Sequence, residues 1–255
     1  MIKWRLLATT LPLVALVVGI ALVRDYVLHV QGVLEFGEVA PILGAASLII
    51  GFMLAGVLAD YKESERIPAE IATTLETIGD TVDVALALNK EADVTAYAPT
   101  FRALVFTVED WFMGRLGVEK CYAALNDFRR VIASMDRAVG VGYTIRCLSE
   151  THNLRRLITR VDVITRTSFI PVGYVLLDLL VSATIILLLA TNYKSTLAEY
   201  FLITLFSLVY IYMTRLVSDV DAPFAYSSKK GIGGSAEVNP FPLQEYRSRL
   251  EANQK

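Results

Sequence analysis

The stretch that most constrains this chain is Val39–Pro68, where an apolar run from Pro41 to Ala59 passes without a break signal into Asp60-Tyr61-Lys62-Glu63-Ser64-Glu65-Arg66. It reads as one long helix. At about 1.5 Å per residue it reaches roughly 45 Å, against about 30 Å of hydrocarbon in a bilayer, so its charged end projects into water. Gly44, Ala45, Ser47, Gly51, Ala55 and Gly56 let other helices approach closely, while Leu48 and Phe52 place bulk four residues apart on one face. If several copies assemble, that face narrows a shared axis.

Composition agrees that lipid is the solvent for part of the chain. Hydrophobic residues make up 55% of the sequence, yet 20% of residues are charged, so neither a purely membrane-embedded nor a purely water-soluble protein accounts for the mixture. The formal net charge of −2 gives no general argument for nucleic acid or another polyanionic partner. Cys121 and Cys147 form neither a disulfide framework nor a metal motif and read as reduced packing residues.

Taken in order, Trp4 to Val23 is an apolar segment longer than the roughly 7–15 residues of a signal-peptide core, with no small-x-small cleavage site behind it. It reads as a retained first membrane helix. Arg24 to Glu38 is a short polar connector, and the long helix is the second span. From Tyr61 to Thr167 the segments keep a helical period, as in Phe101, Leu104, Val105, Val108, Phe112, Leu116. A sharper seam, Cys121, Leu125, Phe128, Ile132, Met135 and Val139, predicts one helix with a single apolar stripe. Pro99, Gly114, Gly117, Gly140 and Gly142 stand where helices should end. Phe169–Thr191 and Leu197–Val217 form a membrane hairpin across a tight polar link. The expected fold is an all-α membrane protein with four spans. Its division is residues 1–59 (spans 1 and 2), 60–168 (a water-exposed helical domain), 169–217 (spans 3 and 4) and 218–255 (an extended C-terminal arm that lies on other parts of the protein).

Lys and Arg cluster at one set of span ends (Lys3, Arg5, Lys62, Arg66, Arg155, Arg156, Arg160, Arg166, Arg215, Lys229, Lys230) against Arg24 and Lys194 at the other. The rich side is cytoplasmic, which puts both termini and the helical domain inside the cell. Tyr193, Tyr200 and Phe201 suit the outer interface.

Asp178 sits mid-span, where a carboxylate costs about 3 kcal/mol on insertion scales. It should face protein or water and have a partner, with Tyr174, Ser182 and Ser47 as candidates. It reads either as an ion-pathway or pH-sensing group, or as a protonated acid joining two helices. Enzymatic readings find little support. His29 and His152 are isolated on opposite sides of the membrane, and Gly231-Ile232-Gly233-Gly234 lacks the Lys-Ser/Thr step of a phosphate loop. Arg129, Arg130, Arg155, Arg156 and Arg160 read as solvated faces balanced by Asp127, Asp136 and Asp162. No enzyme activity and no cofactor are expected.

The two helix pairs around an intracellular insert resemble the bestrophin family, as does the second helix, running from Leu43-Gly44 through Ile50-Gly51-Phe52 into the Asp60–Arg66 segment. The tail Asp221-Ala222-Pro223-Phe224, followed by Glu237-Val238-Asn239-Pro240-Phe241-Pro242-Leu243, is similar to the bacterial bestrophin-like membrane proteins. The resemblance implies a homo-oligomer, a pentamer, in a bacterial inner membrane, with a central pore lined by the second helix and passing small inorganic ions, anions or cations. Phe52 and Leu48 match two positions of the family's apolar neck, and the third falls on Gly44, a departure that implies a wider or shorter constriction. Asp60, Glu63 and Glu65, beside Lys62 and Arg66, would ring the inner mouth. Asp219 and Asp221 do not make the family's calcium clasp, and Tyr61 stands alone where an aromatic pair is found. The rival reading is a non-conducting, membrane-anchored scaffold or sensor whose helical domain binds a cytoplasmic partner.

Overall fold

The computed structural model describes residues 4–88, 95–167, 171–226 and 236–252. Lys3, Phe169, Lys229, Lys230 and the Gly231–Gly234 cluster lie outside the described residues. Ten α-helices occur among the described residues: α1 (Arg5–Val23), α2 (Phe36–Ser64), α3 (Ile67–Leu88), α4 (Tyr97–Phe112), α5 (Val118–Ser134), α6 (Asp136–Val139), α7 (Val141–Arg166), α8 (Pro171–Leu189), α9 (Thr196–Val220) and α10 (Phe241–Ala252). Two short strands, β1 (Leu34–Glu35) and β2 (Thr191–Asn192), pair in parallel. The expected all-α membrane class is what the chain adopts, and four helices are long and apolar enough to cross a bilayer.

The long helix differs from its sequence reading. It ends at Ser64, and Glu65-Arg66 form a turn before α3 begins. Pro68 is the reason: proline has no N–H to donate and fits the first turn of a new helix far better than the middle of an old one. The seam of Cys121 to Val139 is also divided, since α5 stops at Ser134 and α6 starts at Asp136, although all six seam residues are buried.

The chain forms two compact units. Unit 1 takes residues up to Tyr61 with α8 and α9. Its closest helix pairs are α1 with α9 and α8 with α9. Val14, Val17 and Ala21 meet Leu177, Val181, Leu188, Ile203, Tyr210 and Val217 in its core. Hydroxyls of Thr10, Ser47, Thr184 and Thr214 bond to carbonyls one helical turn back, which satisfies them in a medium without water. The connector after α1 is more structured than a polar loop. It makes a π-helical turn (Arg24–Leu28) and then β1, while Gly32 packs so tightly on the backbone of Thr191 and Asn192 that a Cβ there would collide with it.

Unit 2 is a helical bundle of α3 to α7 and α10, in which α3 packs on α7 and α5 on both α4 and α7. Phe101, Leu104, Val105, Val108 and Phe112 are buried, as their period demands. Gly114 (φ 71°) and Gly140 (φ 94°) take the left-handed conformations that end α4 and α6. Cys121 and Cys147 are buried free thiols, and burial pushes Cys121 up to about 12 and Cys147 to about 11. The tail joins this unit as an arm. Val238 N–H donates to the Pro223 carbonyl (2.9 Å), the Tyr226 hydroxyl donates to the Val238 carbonyl (2.7 Å), and Phe224 packs edge-on to Phe112. The two tail motifs, far apart in sequence, are thus bonded to each other.

Candidate functional site

The second helix divides cleanly into two faces. At about 100° per residue, Val39, Ala46, Ile50 and Val57 lie roughly 160–200° around the axis from Leu48, and all four are buried in the unit 1 core. Leu43 is buried about 40° from that line. Leu48 is 60% exposed and Phe52 68%, and Gly44 lies in the open on the same side. Ile42 and Leu58, off to either flank, are less exposed at 44% and 40%. The structure therefore brings Gly44, Leu48 and Phe52 onto one surface of the subunit, opposite its core.

Side chains rather than backbone contact hold this rotation. The buried Tyr210 of α9 donates its hydroxyl to the Leu43 carbonyl (2.8 Å) and lies 3.0 Å from the Ser47 hydroxyl. Gly37, Gly44 and Gly51 make no close approach to another helix within the subunit. A Cβ at Gly37, Gly44 or Gly51 would meet nothing within 4 Å. These three are seven residues apart, so they form a stripe beside Leu48 and Phe52 that faces away from the subunit.

Ser47 is consequently engaged with Tyr210 and Leu43 and is not a partner of Asp178. Asp178 is exposed on the subunit, and among the described residues its carboxylate has no hydrogen-bond or ion-pair partner, Tyr174 and Ser182 included. The expectation of a partner within the chain fails because α8 turns Leu177, Val181, Thr184 and Leu188 to the core, and Asp178 stands one residue off that face.

The three acids named for the inner mouth have different surroundings. Asp60 is exposed at the end of α2 in unit 1. In unit 2, Glu63 accepts two bonds of 2.8 Å from the Arg160 guanidinium, which holds its carboxyl below the usual carboxylate range. Glu65 pairs with Lys62 at 2.6 Å. Arg160 thus pairs with Glu63, and Asp162 pairs with Arg166 at 2.9 Å. Arg130 does pair with Asp127, as its spacing suggests.

Sequence reasoning missed a polar cluster in unit 1. Arg24, after α1, bonds to Asp25, to Glu199 of α9 and to the Leu189 carbonyl at the end of α8, and Tyr200 donates to Asp25 at 2.8 Å. The only signal was one cation and two anions at the ends of three apolar segments. His29 belongs to unit 1 and His152 to unit 2, and no group of three or more metal-ligating side chains occurs among the described residues.

Four bilayer-length helices, a second helix with an apolar face opposite its core, and a separate helical unit define the class: a multi-span helical membrane protein with a second helical bundle. The particular fold is that of the bacterial bestrophin homologs. The crystal structure of a bestrophin homolog from Klebsiella pneumoniae superimposes with a TM-score of 0.73 at 13% identity, covering 97% of this chain and 96% of that one. Two mutants of the Klebsiella pneumoniae homolog match with TM-scores of 0.72 and 0.71 at 13% and 14% identity, each covering at least 96% of both chains. No protein-family model and no curated protein matches the sequence.

Proposed function

We propose that copies of this chain gather around a common axis, five in number, to form an ion channel of a bacterial inner membrane. Both termini and unit 2 lie in the cytoplasm. The exposed face of α2 lines the pore, with Leu48 and Phe52 forming its apolar neck and Gly44 leaving the next turn wide. The observation that carries this reading is the opposition of faces on α2: the core side is closed by Val39, Ala46, Ile50 and Val57, and the largest exposed side chains stand on the far side. The open glycine stripe at Gly37, Gly44 and Gly51 supports close approach of α2 helices from neighbouring copies.

A ring of apolar side chains resists ions by dewetting, so trimming it should ease passage. Glu63 and Glu65 are offset by Arg160 and Lys62, which reduces the acidic charge they bring to the mouth. The permeant species are small inorganic ions. Planar-bilayer recordings of purified protein test the proposal, with Leu48→Ala and Phe52→Ala beside wild type. Current in wild type, and larger unitary conductance in both variants, is expected. Intact oligomers with no current in any of the three would overturn it and leave the membrane-anchored scaffold. Native mass spectrometry counts the copies.

A further inference from the structure

Asp178 and Ser182 stand one helical turn apart on α8, and both are exposed on the subunit. Val175 (69% exposed) and Ile186 (65%) share their side of the helix. Among the described residues neither polar side chain has a hydrogen-bond partner. Thr184, on the core face, does satisfy itself by bonding to the Leu180 carbonyl.

The bilayer makes this pair unusual. α8 is one of the four helices long and apolar enough to span, and Asp178 lies near its middle. Lipid tails offer a carboxyl group nothing to bond to, and ionisable residues within spans face protein or water. The face that carries Asp178 and Ser182 is therefore covered by a polar group from outside the subunit.

A second copy of the chain brings such a group to the right depth. The pairing of Glu35 with Asn192 sets the start of α2 level with the end of α8. Counting inward from that bridge at about 1.5 Å per residue, Ser47 and Asp178 both lie about 20 Å away. Ser47 is exposed, on the same flank of α2 as Gly44 and Gly51, where an added Cβ would meet nothing within 4 Å. A neighbouring helix can come close there. The Ser47 hydroxyl is held by the Leu43 carbonyl (2.9 Å) and lies 3.0 Å from the Tyr210 hydroxyl, which leaves its oxygen free for one more bond.

We propose that the Asp178–Ser182 face of α8 packs on the α2 flank of a neighbouring copy, with a hydrogen bond between the Asp178 carboxyl group and the Ser47 hydroxyl of that copy. The contact rests on the ring of copies proposed above and would brace each α2 from behind, at the level of Leu48.

A photo-crosslinking residue, p-benzoylphenylalanine, placed at position 182 and separately at 175, tests the contact in native membranes. Light-dependent dimers of this chain are expected, with the captured peptide mapping to α2. Native mass spectrometry in detergent then compares wild type with Asp178→Leu and Asp178→Asn. Asp178→Leu should lower the oligomeric fraction at least fivefold, with helix content unchanged, and Asp178→Asn, which keeps the hydrogen bond, should stay within twofold of wild type. An oligomeric wild type overturns this contact alone if neither probe captures a second copy, or if Asp178→Leu is as oligomeric as wild type. A wild type that is monomeric in membranes overturns the ring and the contact together.

Discussion

Arg247 fastens α10 to α4 through a carboxylate that has almost no access to water. Its guanidinium donates to Glu109 at 2.9 Å, lies 3.5 Å from Asp110 and 3.2 Å from Glu251, and sits 4.2 Å over the Phe106 ring. Glu109 is 5% exposed. Breaking a buried pair by removing one partner costs about 3–5 kcal/mol, since the remaining charge is left without compensation. Arg247 is itself 28% exposed, so water can reach one side and the lower end of that range applies. The lost cation–π contact adds about 0.5–1 kcal/mol. Arg247→Met should therefore weaken docking of α10 by about 3.5–4 kcal/mol, which is roughly several hundredfold in its open population. Native-state hydrogen exchange of the α10 amides reads that population directly. Adding Glu109→Leu removes the stranded charge and should restore most of the protection, a coupling of about 2 kcal/mol between the two sites. Unchanged exchange in Arg247→Met, or simple additivity in the double variant, would refute the assignment of the buried charge as the dominant cost.

The Glu63–Arg160 pair makes stability depend on acid. Because the folded Glu63 titrates below its usual value of 4.5, its contribution is complete above that pH and disappears as pH falls through the lower folded value. Both side chains are about half exposed, so the effect is under about 1 kcal/mol. Arg160→Gln should flatten the loss of stability below pH 4.5 by that amount, and identical acid melting curves for the two proteins would contradict it. The buried thiols give a chemical test. With Cys121 at about 12 and Cys147 at about 11, their thiolate fractions at pH 8 are on the order of 10⁻⁴ and 10⁻³. Maleimide labelling of the native protein should be at least about a hundredfold slower than of the denatured chain, and stoichiometric labelling within minutes would contradict the packing of α5 and α7.

The spans were legible because lipid imposes a simple rule: every backbone group must bond within the helix, and apolar runs of about twenty residues satisfy it. The unit 2 helices were legible from period, and the burial of Phe101 through Phe112 follows it. The break before Pro68 was harder to see. Lys62, Glu63, Glu65 and Arg66 are good helix formers, and their propensity masked the one residue that forbids continuity. The same local reasoning read Arg129, Arg130, Arg155, Arg156 and Arg160 as solvated faces balanced by Asp127, Asp136 and Asp162, whereas Arg160 pairs with Glu63 on another helix. Helix spacing encodes neighbours three and four residues apart, and it is silent about those brought in by tertiary packing.

By itself, the sequence determined the solvent of each segment, the all-helical class and the four spans, since transfer free energies sum along a chain without reference to its fold. Only the tertiary structure decided the rotation of α2. Tyr210 bonding to Leu43 and Ser47 across 163 or more residues turns Leu48 and Phe52 outward. It also decided that Arg24 meets Glu199, that the two tail motifs bond to each other, and that Asp178 stands off the core face of α8. Each depends on contacts whose sequence separation no local pattern records.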